Sequence, residues 1–232
     1  MPEILTHAPE LLARYRTAPT GLVCDSLGRL GLAGFMDDVL PLDPGWRISG
    51  RIRTVSYAPR GGIGRTSQSI YSIARAFEAG DVLVIGTGGT RSWILGENVA
   101  HMAMYQGLAG IVTDGRVRDG GELRELALPV FARGLAVRPP SADIELADWD
   151  VPIPCGGAQV RPGDILVGDG DGVVVVPGEA AEALTVELDD LAALELEQER
   201  AIEARAAMPV IQGILARKKQ RKGPPFAPKP AA

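Results

Sequence analysis

Residues 96–122 read GENVAHMAMYQGLAGIVTDGRVRDGGE. The pattern is a helix over 96–107, then a buried strand GIVTDG, then a turn that delivers Arg118, Asp119 and Glu122. Upstream, SQSIYSIARAFEAGD has the spacing of an amphipathic helix with Ile70, Ile73, Ala74 and Phe77 inward, closed by Gly80. DVLVIGTGG follows as a continuously apolar strand, the pattern of a strand covered on both faces. Downstream, a short turn helix leads into LPVFARG. Residues 67–135 therefore alternate helix and strand, which predicts a layered α/β core.

The flanks differ from this centre. Residues 8–16 predict a short helix with Leu11, Leu12 and Tyr15 on one face. Thr20 is placed to cap a second helix, GLVCDSLGRLG, striped by Val23, Leu27 and Leu30. ISGRIRTVSYA (48–58) alternates like a half-buried strand, and RGGIGRT reads as a glycine-rich loop. In the C-terminal half, VPIPCGGAQVRPGDILVGDGDGVVVVP predicts short antiparallel strands joined by tight hairpins. A long helix rich in Ala, Leu and Glu is expected from about 178 to about 206. The chain divides into one α/β domain over 1–213 and a basic, proline-rich tail over 214–232, expected to be flexible.

Bulk properties exclude some functions. The net charge is −5, and six of the basic residues lie in 217–232, which hold no acid. Without those six the remainder stands at −11, so the body is no electrostatic partner for nucleic acid. Two cysteines, Cys24 and Cys155, form no CxxC or Cys/His motif and read as reduced core thiols. No basic-then-apolar leader and no apolar run of membrane length are present, so a cytoplasmic location is expected.

Several motifs carry less than they first offer. Gly86, Thr87, Gly88 and Gly89 lack the third spaced glycine of a dinucleotide turn and read as a loop over a pocket. GGIGRTS lacks the lysine of a phosphate loop. DGDG (169–172) lacks the later ligands of a calcium loop and reads as a hairpin turn. His7 and His101 are the only histidines, and no nucleophile-elbow sequence accompanies them.

One constellation remains: Glu97 at a helix start, Arg118-Asp119 at a strand end, and Glu122 just beyond. A helix followed by a returning strand brings its two ends to one edge of a sheet, where α/β ligand sites gather. An arginine beside a carboxylate can hold a divalent cation and stabilise an enolate. The alternative is a surface salt-bridge cluster.

The spacing E-x20-R-D-x2-E matches the signature of the RraA-like family. VCDSLGRLGLAGFMDDVLPL, GDVLVIGTGG, GIVTDGRVRD, LPVFARG and RPGDILVGDGDGVVVVP resemble family segments in order, over roughly residues 18–205. That family contains the 4-hydroxy-4-methyl-2-oxoglutarate aldolases, the 4-carboxy-4-hydroxy-2-oxoadipate aldolases and regulators of ribonuclease activity. The resemblance implies a swivelling β/β/α sandwich with a long C-terminal helix, assembled as a trimer or hexamer with its site near a subunit interface. It implies a class II pyruvate aldolase with oxaloacetate decarboxylase activity, or alternatively a non-catalytic ribonuclease regulator.

Carried over, Asp119 would ligate Mg²⁺ or Mn²⁺ directly, with Glu97 and Glu122 acting through water. Arg118 would face the keto oxygen. Amides around Leu95, Gly96, Glu97 and Asn98 would hold the carboxylate of a small 2-keto acid. Glu199 would reach the neighbouring subunit's site, with Glu195 and Glu197 as close rivals. Some aldolases carry aspartate at the position of Glu97, whereas regulators are expected to lack an acid there.

Overall fold

The computed structural model describes residues 4–61, 66–140, 143–224 and 226. Most of the glycine-rich loop expected after residue 60 lies outside the described residues. The N-terminal helices are α1 (Pro9–Arg16) and α2 (Thr20–Arg29). Short strands β1 (Phe35–Met36) and β2 (Leu40–Pro41) precede the long strand β3 (Ile48–Pro59). The α/β centre comprises α3 (Ile70–Arg75), β4 (Val82–Gly86), β5 (Trp93–Leu95), α4 (Glu97–Tyr105), β6 (Gly110–Thr113), β7 (Arg116–Val117), α5 (Gly120–Glu125) and β8 (Val130–Ala132). β9 (Ile144–Trp149), β10 (Ile153–Cys155), β11 (Ala158–Val160), β12 (Ile165–Asp169) and β13 (Gly172–Val176) follow. A single 3-10 turn then leads into α6 (Ala181–Glu203) and α7 (Met208–Lys218).

One sheet runs β1-β13-β12-β3-β4-β6-β8-β2, with β9 also paired to β3. Its β3-β4-β6-β8 portion is parallel, and its β1-β13-β12-β3 portion is antiparallel. β3 joins the two. Its first residues pair with β12, and from Ile52 it pairs with β4. Gly50 marks the crossing, because a Cβ there would stand 2.3 Å from the Gly80 carbonyl oxygen.

The continuous apolar runs are explained by three buried layers. In β4, Leu83 and Ile85 face α3, α4 and α5, whereas Val82 and Val84 face a middle core. In β13, Val173 and Val175 enter that same middle core, while Val174 and Val176 pack under α1, α2 and α6. Hairpin β10–β11 adds Ile153, Cys155 and Val160 to the middle layer. Both faces of the strands are therefore covered, and each such Val or Ile contributes roughly 1.5–3 kcal/mol of transfer free energy. This is the expected α/β sandwich with its long C-terminal helix.

Two local expectations are corrected. Thr20 is the first helical residue of α2, not its cap: Pro19 holds the cap position, and the Thr20 amide and hydroxyl donate to Asp169 at 2.9 and 2.7 Å. That bond ties α2 to the DGDG segment, which is a two-residue hairpin turn between Asp169 and Gly172. The helix expected over 67–81 is confined to Ile70–Arg75, and a capping box of Ser69 and Ser72 sets its start.

The boundary set at residue 213 falls inside α7. Ile214 is buried there, and residues 222 and 223 bond to Glu187 of α6. Among the described residues no helix is long and apolar enough to cross a membrane.

Candidate active site

The site is built where β5 and β7, two short parallel strands, run beside each other with Trp93 opposite Arg116 and Leu95 opposite Val117. The Arg118 amide donates to the Leu95 carbonyl at 3.1 Å, and the Val117 amide to Gly134 at 3.0 Å. These bonds fix where Arg118 and Asp119 leave the strand. Asp119 then takes a left-handed conformation, φ 58 and ψ 44, and heads α5. Aspartate tolerates that region better than most residues.

The turn aims the Asp119 carboxylate at the start of α4. The Glu97 amide donates to Asp119 Oδ2 at 3.2 Å, and Arg118 Nε lies 3.4 Å from the same oxygen. Gly96, at the cap position of α4, has no side chain to offer. Its bareness is a steric requirement, since a Cβ there would stand 2.2 Å from Asp119 Oδ2. Arg118 lies over Trp93, its Cζ 4.1 Å from the ring centroid. The side chains of Arg118 and Asp119 remain 46% and 36% exposed, open to a ligand.

Glu97, Arg118 and Asp119 are thus brought together, as their spacing predicts. Leu95 and Gly96 are buried beneath them, and Asn98 is exposed in the first turn of α4. The Glu97 amide is taken by Asp119, which leaves the Asn98 and Val99 amides as first-turn donors without an acceptor among the described residues. Glu122 is exposed in the first turn of α5 and forms no ion pair among the described residues. His101 Nδ1 lies 3.7 Å from Glu97 Oε1, and its ring stacks on Tyr105. Glu199 lies on α6, which packs on α2 and α7. Glu195 and Glu197 are paired to Lys218 and Arg217, whereas Glu199 forms no ion pair among the described residues.

Two features escaped the sequence. Trp93 carries no periodic signal that separates it from a core residue. Asp114, almost fully buried, accepts both the amide and hydroxyl of Thr87 at 2.7 Å and so shapes the glycine loop. That loop lines a cavity of about 550 Å³ with Tyr57, Arg91 and Arg138, separate from Arg118 and Asp119.

The family model described as RraA-like, Aldolase/RraA, matches residues 20–175, a stretch that contains β5, α4, β7 and α5. The chain belongs to the RraA-like family. It is 34% identical over 197 residues to a Halalkalibacterium halodurans protein named "Putative 4-hydroxy-4-methyl-2-oxoglutarate aldolase", covering 83% of this chain and 89% of that one. A Thermus thermophilus 4-hydroxy-4-methyl-2-oxoglutarate aldolase is 36% identical over 133 residues, covering 56% of this chain and 76% of its own. The crystal structure of Streptomyces coelicolor RraAS2, described as an unusual member of the RNase ES inhibitor RraA family, superposes with a TM-score of 0.75. It shares 29% identity, covering 86% of this chain and 99% of that one. RraA-like relatives of this chain thus carry both aldolase and inhibitor names.

Proposed function

We propose that this RraA-like protein is a divalent-metal-dependent pyruvate aldolase. It cleaves 4-hydroxy-2-keto diacids such as 4-hydroxy-4-methyl-2-oxoglutarate, and decarboxylates oxaloacetate as a side reaction. The observation that carries this reading is the meeting of Asp119 and Arg118 at the N-terminus of α4, with Glu97 beside them.

The donor set fits a hard, water-rich cation. Among the described residues no group of three or more His, Cys, Asp or Glu converges on a metal position. A cation at Asp119 would therefore have one protein carboxylate and mostly water, the habit of Mg²⁺ shared by Mn²⁺. Glu97 and Glu122 would act through that water. When bound, such a cation supplies Lewis acidity to the keto oxygen.

The chain's own residues do the rest. The open first-turn amides of α4 receive the substrate carboxylate, favoured by the helix dipole. Arg118 turns its Nε edge to Asp119, which leaves its terminal nitrogens for the keto oxygen. Glu97 is the carboxylate we assign to relay the C4 hydroxyl proton through solvent. As the C3–C4 bond breaks, its electron pair moves to C3 and onto the C2 oxygen, beside the Arg118 guanidinium. A proton returned to C3 completes pyruvate, and C4 leaves as a carbonyl. Oxaloacetate loses CO₂ into the same electron sink.

The half-exposed state of Arg118 and Asp119, with Leu135, Val137 and Tyr105 exposed on the same chain, supports completion of the site by a second subunit in a trimer or hexamer. Glu199, without an ion-pair partner among the described residues, is the acid we assign to the neighbouring site. The assay is pyruvate release from oxaloacetate and from 4-hydroxy-4-methyl-2-oxoglutarate, with EDTA and with Mg²⁺ or Mn²⁺ restored. Turnover indifferent to EDTA, or retained by Asp119→Asn, removes the proposal.

A second reading has one observation in its favour, the likeness to the Streptomyces inhibitor. In it the protein binds a ribonuclease without catalysis. A pull-down with ribonuclease ES tests it, since binding unaffected by Arg118→Ala would place that function away from the site.

A further inference from the structure

We propose that Trp93 is a positioning residue for Arg118, and that its indole face sets where the guanidinium can meet the developing oxyanion. The proposal rests on the aldolase reading above and assigns one more residue to that site.

Arg118 is long and nearly half exposed, so in isolation it would sample many rotamers. Two contacts narrow that freedom. Asp119 Oδ2 faces its Nε edge at 3.4 Å. Gly96 leaves room for the stem in this position, since a Cβ there would stand 3.0 Å from Cγ and 3.1 Å from Nε. The Trp93 ring covers one face of the guanidinium, 4.1 Å from Cζ to the centroid. Stacking on an indole leaves the in-plane N–H groups free, which is the edge that a keto oxygen or enolate must approach.

Trp93 is itself fixed from behind. Its amide donates to the Arg138 carbonyl at 2.9 Å, and β5 pairs with β7, the strand that leads into Arg118. The residues before and after it are buried, while Trp93 is only partly so. Its side chain therefore points towards the site, not into the core beneath.

The test is a double-variant cycle on oxaloacetate turnover, with tryptophan emission as a second readout. Trp93→Leu is expected to lower kcat by about 10- to 100-fold with a smaller change in KM, because the lost interaction acts on the enolate. Trp93→Phe, which keeps an aromatic face, is expected to recover most of kcat. In the Arg118→Ala background, Trp93→Leu is expected to add nothing, since its effect passes through Arg118.

Additive losses in the double variant would overturn the proposal, and so would failure of Trp93→Phe to exceed Trp93→Leu. Emission separates this from failure of the aldolase reading. Arg118→Ala is expected to change the emission of the wild-type protein but not that of Trp93→Phe. A wild-type protein with no turnover but an Arg118-dependent emission removes the aldolase and keeps the pairing. Emission indifferent to Arg118 removes the pairing.

Discussion

The Glu97 amide donates to the Asp119 carboxylate across 22 positions of sequence, at 3.2 Å. One carboxylate thereby closes the start of α4 and presents its remaining lone pairs to solvent. The arrangement depends on Gly96, whose φ of −142 is ordinary extended backbone. Gly96→Ala should therefore fold without backbone strain, yet its methyl group would displace Asp119 and press on Arg118. Misplacement by about 1 Å is expected to lower kcat by about 100-fold. Melting curves measured beside turnover check this. A variant with intact stability and intact kcat would show that the carboxylate position is not limiting.

Asp119 combines a chemical and a conformational role, and two substitutions separate them. Asparagine also tolerates the left-handed region, so Asp119→Asn should keep the fold while losing metal-dependent turnover. Asp119→Ala should lose turnover and also about 1 kcal/mol of stability, because alanine is strained at φ 58. Denaturant midpoints of the two variants give the comparison. Equal midpoints would contradict the strain argument.

Much of this was legible in the sequence, and the reasons are physical. VLVI (82–85) and VVVV (173–176) are apolar at every position because both sheet faces are buried, so the layered core could be read directly. The meeting of Glu97 with Arg118-Asp119 followed from a helix and its returning strand. β5 and β7 left no trace, because strands of three and two residues are too short to show a period. Trp93 was missed for the same reason. The composition of the segment after 213 predicts a flexible tail, whereas residues 217, 218, 222 and 223 bond to Arg29 and Glu187, partners too distant in sequence for composition to reveal.

The two thiols should behave differently. Cys155 is wholly buried, and burial pushes its thiol well above the usual range. Cys24 is only part-buried, with its thiol raised more modestly by burial and by Asp25. Ellman's reagent on the native protein is expected to titrate Cys24 slowly and Cys155 only after unfolding. Reductant should leave the melting temperature unchanged. Rapid reaction of two thiols in the native state would count against the buried position of Cys155.

The last prediction concerns the C-terminal segment. Arg29 Nη1 contacts Glu187 at 3.0 Å and Asp190 at 2.8 Å, while its Nε donates to the Lys218 carbonyl at the end of α7. Glu187 also accepts the amides of Lys222 and Gly223. Both side chains are buried, 3% and 0% exposed. Removing one partner of such a pair strands the other, so Glu187→Ala is expected to cost about 3 kcal/mol.

Burial alone would push the Glu187 carboxyl up. The Gly223 and Lys222 amides and the Arg29 guanidinium outweigh it and hold the group below its usual 4.5. A lowered folded value means that the stabilisation is complete above the unfolded value and fades as pH falls through the folded one. Hydrogen exchange at residues 217–223 should therefore accelerate below about pH 4.5 relative to β4. In Glu187→Gln that acid step should vanish. If the variant kept the same pH-dependent exchange, some group other than Glu187 would govern release of the segment.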